Sequence, residues 1–323
     1  MPVGLGLAVS HAPGLYVRSE EEWDGLWHRL SLDRGIPQPD RVANETGSQL
    51  KTMVQRIDAA HAEMTRVYEE YHPDLLIVLG GDQIEMFDRS NVPQLMFYLG
   101  DTAWGSVPGA RAQQPDGSDV EKVEMEVDVE FSRWLLRRLV KDEGFDISFS
   151  DEMGCFGDRP GLGKRYGLPH AFVNPTSVIC QNYLPKTVLV YENTYDPPSL
   201  TANRCYEFGQ ALARVLKNDK RRIAVLASGG LSHDPGGKRS GWVDEPMDRW
   251  FLDQLASGRG KATTSMFSFD SDTMVGGTGE NRPWITVAGA MEEMGCQGAT
   301  VLDYVEAGKT VTGLGFVYWT LDN

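Results

Sequence analysis

Three histidines of the chain stand at positions from which a side chain can reach a cleft. His11 and His233 each follow a short apolar run that ends in small residues, and His170 follows Pro169 at the entrance to an apolar segment. Imidazoles collected in one cleft, with carboxylates nearby, suit either a mononuclear metal ion or proton transfer near neutral pH. The three histidines therefore favour an enzyme with one composite active site.

The elements that must position these histidines are predicted to be buried strands. Apolar runs at 3–9, 75–79, 187–191 and 223–227 are each closed by a polar cluster, a pattern typical of strands. In open α/β sheets, ligands bind at the carboxyl ends of the strands. With a final strand at 311–319, these runs predict an α/β fold: a mixed, largely parallel central sheet flanked by helices, with the site at the carboxyl ends of the strands.

The helices expected to flank this sheet follow from the spacing of apolar residues. A helical period runs through 45–71, 127–140, 200–216 and 284–291. By contrast, the segment 101–119 is rich in Gly, Pro, Asp and Gln, which predicts a surface loop or lid.

Charge and composition exclude several classes of protein. The 323 residues include 31 Lys and Arg against 46 Asp and Glu, a formal charge of -15, which argues against binding to nucleic acid or to an anionic membrane surface. No apolar run reaches the ~20 residues of a membrane span, and no targeting segment is apparent. The four cysteines form no Cys-x-x-Cys pair, so neither a zinc knuckle nor a disulfide framework is indicated. We expect a soluble, cytoplasmic protein.

Several motifs together resemble one known family. Ser-His-Ala-Pro at 10–13, the Asp82 turn, His170, Asn193 and Gly-Gly-Leu-Ser-His at 229–233 are similar, in this order, to the class III extradiol ring-cleavage dioxygenases. This is the superfamily of the catalytic subunit of protocatechuate 4,5-dioxygenase. The resemblance runs over nearly the whole chain and implies a single domain over 1–323.

The resemblance also implies a cofactor, substrates and roles for the histidines. The family holds non-haem Fe(II) between two histidines and one carboxylate, and it cuts a small aromatic diol with O2 beside its adjacent hydroxyls. In this sequence His11 matches the first metal ligand, His233 the histidine that handles substrate protons, and His170 the second catalytic histidine. The family further implies a homo-oligomer, most simply a dimer.

The remaining metal ligands depart from the family pattern. Gln83 stands where the family has its second histidine, so either Gln83 or Glu85 is a candidate replacement, and Glu85 is the stronger ligand for a hard divalent ion. In strict register with the family pattern, Pro246 stands at the position of the carboxylate ligand. A shift of one residue brings Glu245 to this position. The alternative for Glu245 is an ordinary helix-start charge. Two further alternatives are that the site binds metal weakly or binds another ion, and that the metal has been lost.

Substrate recognition is expected from residues that follow a glycine-rich turn. Thr278, Asn281 and Arg282 lie between this turn and a predicted helix, where side chains and backbone N–H groups can hold a carboxylate or a phenolic oxygen. Asn193 is a further candidate on the basis of the resemblance. The alternative for Arg282 is a surface salt bridge. The leading substrates are carboxylated or methoxylated catechols such as protocatechuate, gallate or 3-O-methylgallate.

Two other functions compete with ring cleavage. The chain would act as a metal-poor, non-catalytic partner subunit of a heteromeric dioxygenase if the metal site were lost. Alternatively, the histidines would serve a metal-dependent hydrolase of a ring-cleaved product. Metal analysis tests the first alternative and oxygen uptake tests the second.

Overall fold

The chain alternates strands and helices along most of its length. The computed structural model describes residues 2–83, 85–87, 91–152, 158–159, 163–164, 166–269 and 271–321. The strands are β1 Val3–Val9, β2 Leu75–Gly80, β3 Leu95–Tyr98, β4 Thr102–Ser106, β5 Lys122–Glu126, β6 Ser148–Ser150, β7 Asp158–Arg159, β8 Gly163–Lys164, β9 Thr187–Glu192, β10 Ile223–Ser228, β11 Thr300–Ala307 and β12 Thr312–Thr320. The α-helices are α1 Glu20–Leu30, α2 Gly47–Tyr71, α3 Val129–Lys141, α4 His170–Ile179, α5 Ala202–Leu216, α6 Glu245–Ala256 and α7 Asn281–Glu293.

Eight strands form the central sheet, in the order β11-β12-β1-β10-β2-β9-β3-β6. The four inner strands β1, β10, β2 and β9 run parallel to one another, whereas β12 and β3 join them in antiparallel pairing. Every residue of the four inner strands is buried, as expected for parallel strands covered on both faces. The predicted mixed, largely parallel α/β fold is confirmed.

Helices cover both faces of this sheet. Because successive residues of a strand point to opposite faces, Val225 of β10 packs in a core with Phe208 of α5 and Trp284 of α7. Its neighbour Leu226 packs in a second core that includes Phe172 of α4 and the buried side of α2. The sheet is therefore the middle of three layers, and the carboxyl ends of its parallel strands open at one edge.

Close packing between α5 and α7 fixes the position of α7. A Cβ atom at Gly209 of α5 would lie 1.8 Å from the carbonyl oxygen of Thr286, and one at Gly289 of α7 would lie 2.2 Å from the carbonyl oxygen of Tyr206. Only glycine allows two helix backbones to approach so closely. These contacts lie in the middle of α7 and hold this helix, which begins directly after Glu280, against α5.

One predicted loop contains a strand. Within 101–119, residues 102–106 form β4, which pairs antiparallel with β5. The pairing buries Ala103 and Met125, so a short hairpin forms although the rest of the segment is rich in turn residues. The expectation of a loop or lid is therefore wrong for the first part of this segment.

Two expectations from the composition concern the cysteines and membrane-spanning helices. Cys180, Cys205 and Cys296 are free and buried, while Cys155 lies outside the described residues. In the described part of the chain, no helix combines the length and the apolar character needed to cross a membrane.

Candidate active site

Two of the predicted histidines lie side by side because their strands are neighbours. Val9 of β1 pairs with Ser228 of β10 in parallel register, and His11 and His233 follow these strand ends. Both imidazoles are buried, with 2% and 6% of each residue exposed. The shared sheet edge thus brings together residues that are 222 positions apart in the sequence.

Both imidazoles meet one carboxylate that sequence analysis did not identify. Nε2 of His11 lies 3.3 Å from Oε2 of Glu280, and Nε2 of His233 lies 3.4 Å from the same oxygen. Glu280 is only 1% exposed and ends a short 3₁₀ helix, Gly276–Glu280, immediately before α7. The sequence signal was weak, since Glu280 looked like one polar residue of a glycine-rich turn.

Two further donors fix the Glu280 carboxylate. The side-chain amide of Gln83 donates to Oε1 at 2.8 Å, and the backbone N–H of Gly230 donates to Oε2 at 3.1 Å. Gln83, predicted as a possible metal ligand, therefore uses its amide nitrogen to orient Glu280. The amide oxygen of Gln83 is not used in this contact.

Each imidazole is also held at its second nitrogen. Nδ1 of His233 lies 2.9 Å from the carbonyl oxygen of Leu231, an acceptor that requires a proton on Nδ1. Nδ1 of His11 lies 2.6 Å from Oγ of Ser228. Nε2 of His233 therefore presents either a lone pair or a second proton to the cluster, as in metal-binding histidines held by a backbone carbonyl.

Electrostatics favours one positive charge in this cluster. Burial alone would raise the pKa of Glu280, but His11 and His233 outweigh burial and hold this pKa well below 4.5. Burial lowers the pKa of His11, whereas the contact with Glu280 outweighs burial at His233 and raises its pKa. The contact with Glu280 therefore favours the protonated form of His233 more than that of His11.

The third predicted histidine lies against the first and is held by Glu85. The ring centroids of His11 and His170 are 4.5 Å apart in an edge-to-face contact. Oε2 of Glu85 accepts from the backbone N–H of His170 and lies 2.9 Å from its Nδ1. Glu85 thus fixes the orientation of His170. The imidazole of His170 is one quarter exposed and borders a cleft of about 40 Å³ that also contains Arg111.

The turn that carries Gln83 and Glu85 is organised by Asp82. Its buried carboxylate accepts hydrogen bonds of 2.8–3.0 Å from the backbone N–H groups of residues 85, 86 and 87. Burial, together with the charge of Glu85, raises the pKa of Asp82 to about 6. Asp82 is therefore a structural residue of the site.

The structure corrects the prediction for Glu245. Its carboxylate lies in the first turn of α6 and pairs with Arg249 at 2.7 Å, which is the helix-start role considered as the alternative. The carboxylate that reaches the histidines is Glu280. The α6 residue that supports the site is instead Asp248, which accepts from the backbone N–H and hydroxyl of Ser232 and from the hydroxyl of Tyr304. Asp248 thereby anchors the loop that carries His233.

The predicted substrate-binding residues have different environments. The amide of Asn193 makes hydrogen bonds of 2.7 and 3.1 Å with the backbone of Asp196. Asn193 thus shapes its own turn, and its contact with a substrate stays a prediction. Thr278 holds His233, because its hydroxyl accepts from the His233 backbone N–H at 3.1 Å.

The other two residues of this group keep groups that a ligand can use. Asn281 is fully buried, and neither polar atom of its side chain has a hydrogen-bond partner among the described residues. Arg282 is 8% exposed and donates to the carbonyl oxygens of Leu200 and Gly279. The alternative of a surface salt bridge at Arg282 is therefore wrong.

The donor set of the cluster fits a ferrous ion. Two imidazoles and one carboxylate are the ligands of many non-haem Fe(II) oxygenases, and bonds of about 2.0–2.2 Å place neighbouring ligands roughly 3 Å apart. The buried Nε2 of His11 makes no well-formed hydrogen bond to the described residues and lies 3.3 Å from Oε2 of Glu280, so a cation bound by both atoms would satisfy it. Among the described residues, no three His, Cys, Asp or Glu side chains are already arranged to hold a metal, since the imidazoles meet the carboxylate directly.

Comparison with known proteins identifies one family. The family model described as the catalytic LigB subunit of aromatic ring-opening dioxygenase matches residues 38–315. A gallate dioxygenase of Pseudomonas putida is 34% identical over 131 residues, which are 39% of this chain and 34% of that protein. A 2,3-dihydroxyphenylpropionate/2,3-dihydroxicinnamic acid 1,2-dioxygenase of Photorhabdus laumondii is 24% identical over 207 residues, 64% of this chain and 57% of that protein. The chain thus spans less than two thirds of the length of these relatives.

One solved structure supports the architecture. The uncharacterized protein JW3007 from Escherichia coli K12 superimposes with a TM-score of 0.51 and 13% sequence identity, over 98% of this chain and 99% of that chain. At this identity the similarity concerns the fold alone.

Proposed function

Because the chain belongs to the family of catalytic LigB subunits of aromatic ring-opening dioxygenases, we propose that it is an extradiol dioxygenase. The reaction proposed is the opening of a catechol ring by O2 at a non-haem Fe(II) centre. The observation that carries the proposal is the meeting of His11, His233 and Glu280, which come from three distant parts of the sequence.

We infer that these three side chains would hold the iron. A bound ferrous ion would supply open positions for the two adjacent hydroxyls of the substrate and for O2. The assignment of His233 differs from the expected role in proton transfer, because its Nε2 approaches Glu280 as closely as that of His11 does. Gln83 and Ser228 support the set by orienting Glu280 and His11.

Proton transfer then falls to His170. Glu85 accepts from Nδ1 of His170, which leaves Nε2 to take or give a proton of a substrate hydroxyl. Unlike the two buried histidines, His170 borders a cleft, so a ligand beside His11 can come within its reach. A carboxylate behind the imidazole fixes its tautomer and stabilises its protonated form.

The substrate proposed is a carboxylated or methoxylated catechol. The names of the relatives, which act on gallate and on 2,3-dihydroxyphenylpropionate, support a carboxylated aromatic diol. Homodimerisation and a cytoplasmic location stay predictions from the sequence.

Oxygen consumption tests the proposal. Protein loaded anaerobically with Fe(II) is mixed with a panel of catechols in an oxygen electrode, and we expect one O2 consumed per diol together with the absorbance of a ring-opened product. Guaiacol, in which one hydroxyl is methylated, is the matched control and should give no uptake.

Two results would point to the other functions. A protein that binds no stoichiometric iron and consumes no O2 with any diol would be a partner subunit. A protein that binds metal and consumes ring-cleaved product without O2 would be a hydrolase.

A further inference from the structure

A large cavity lies beside the loop that carries Glu280. Its volume is about 750 Å³, within the range of roughly 300–1,000 Å³ typical of small-molecule sites. Phe267, Phe269 and Met274 give it an apolar side, and Thr194 and Arg282 give it a polar side. An aromatic ring of a substrate would find both apolar surface and a positive charge there.

Arg282 is a buried cation without a charged hydrogen-bond partner among the described residues. Its Nε donates to the carbonyl oxygen of Leu200 at 2.6 Å and its Nη1 to that of Gly279 at 3.1 Å, and both acceptors are neutral. The guanidinium lies 3.9 Å from the ring of Phe267, which orients it by a cation–π contact. The other guanidinium nitrogen makes no hydrogen bond to the part of the chain that is described.

The charge of one carboxylate, that of Glu192, acts on Arg282, but the two side chains share no hydrogen bond among the described residues. Glu192 is fully buried, and neither of its oxygens has a hydrogen-bond partner among the described groups. A buried charge that lacks an ion-pair contact is costly, and a ligand carboxylate on the cavity side would make the bidentate contact that a guanidinium prefers.

The cavity borders the loops that carry Glu280 and Gln83. A Cβ atom at Gly279 would lie 2.0 Å from the carbonyl oxygen of Thr194, and one at Gly81 would lie 2.2 Å from the Thr194 hydroxyl. Gly279 and Arg282 flank Glu280 in the sequence, and Gly81 precedes the turn of Gln83. A ligand held at Arg282 is therefore adjacent to the elements that orient the Glu280 carboxylate.

We propose that this cavity binds an aromatic carboxylate, with the carboxylate group held by the guanidinium of Arg282 and the ring against Phe267 and Phe269. As a substrate subsite it rests on the proposed function, and it selects carboxylated over neutral catechols.

Calorimetric binding to the iron-loaded protein tests the subsite without turnover. Benzoate, which has no adjacent hydroxyls, is compared with neutral benzyl alcohol, and we expect benzoate to bind roughly ten- to a hundredfold more tightly, as a charge-assisted contact implies. Arg282→Gln should remove this preference. Arg66→Gln, at an exposed arginine of α2, removes the same charge elsewhere and should retain it. Equal affinity for both probes, or full benzoate affinity in Arg282→Gln, overturns the proposal.

A second pair of variants keeps Arg282 and its backbone contacts intact. Val275 lines the cavity and is 54% exposed, so its replacement should not disturb folding. Val275→Glu places a competing carboxylate at the cavity and should weaken benzoate binding at least about threefold, whereas the matched Val275→Gln should not. Equal benzoate affinity in the two variants contradicts the proposal.

Steady-state kinetics separates the subsite from the proposed function. In Arg282→Gln we expect the KM for protocatechuate to rise about tenfold or more relative to the KM for neutral 4-methylcatechol. Lack of turnover with every diol, beside Arg282-dependent benzoate binding, would refute ring cleavage and leave the binding site standing. Turnover of both diols that is indifferent to Arg282 would refute the subsite alone.

Discussion

The buried carboxylate of Glu192, at the end of β9, should make the stability of the fold depend on pH. Neither oxygen has a hydrogen-bond partner among the described residues, and the nearby Thr286 hydroxyl donates to the carbonyl oxygen of Cys205. Burial raises the pKa of Glu192 from 4.5 to about 7, with Thr286 and Arg282 opposing it. The folded protein therefore prefers the protonated, neutral side chain.

The sign and size of the effect follow from this pKa. Because the pKa is higher in the folded state, stability is lost as the pH rises from 4.5 to about 7, and the loss is complete above that range. A pKa raised from 4.5 to about 7 corresponds to a loss of about 3 kcal/mol in the free energy of unfolding. Glu192→Gln keeps the shape and stays neutral, so it should raise the free energy of unfolding more at pH 8 than at pH 5.5, by about 2 kcal/mol.

Urea unfolding of the wild type and Glu192→Gln at both pH values measures this difference. Glu21→Gln, at an exposed glutamate, is the matched control and should change the free energy of unfolding equally at both. An equal change at pH 5.5 and pH 8 in Glu192→Gln, or a loss of stability at both, would refute the reasoning.

The remaining predictions concern the two buried histidines that contact Glu280 and the Glu85 carboxylate that orients His170. His11→Ala and His233→Ala should each lower the iron bound after anaerobic loading, measured by elemental analysis; stoichiometric iron in His233→Ala would return this residue to the proton-transfer role expected from the sequence. Glu85→Gln should retain iron but lower kcat roughly tenfold to a hundredfold, because it loses the charge that orients His170. An unchanged kcat, or loss of iron in Glu85→Gln, would show that Glu85 has another role.

The sheet and the histidines were predictable because their signals are local. The runs at 3–9 and 223–227 are continuous apolar segments because both faces of these strands are covered. The small residues that follow each run place His11 and His233 beyond the strand ends. The parallel pairing of β1 and β10, which the structure shows and no local signal specifies, then brings the two residues together.

The carboxylate was not predictable because its position depends on packing between distant helices. Glu280 directly precedes α7, whose middle packs against Gly209 of α5, and no periodicity in the sequence marks this contact. Glu245 instead looked suitable because an acidic residue before Pro246 is a recognisable helix start. The role of Asp248 was not predictable from the sequence for the same reason. Its contact with Tyr304 joins α6 to β11, two elements that are distant in the sequence.

The order of strands in the sheet also determines when the site can assemble. β1, which leads to His11, lies between β10 and β12, and both neighbours belong to the last third of the chain. During synthesis the first strand therefore has no partner on either edge until β10, Ile223–Ser228, has left the ribosome. A nascent chain ending before β10 would have neither the pairing that positions His11 nor the residues His233 and Glu280, so the proposed iron site is absent until these segments have been synthesised.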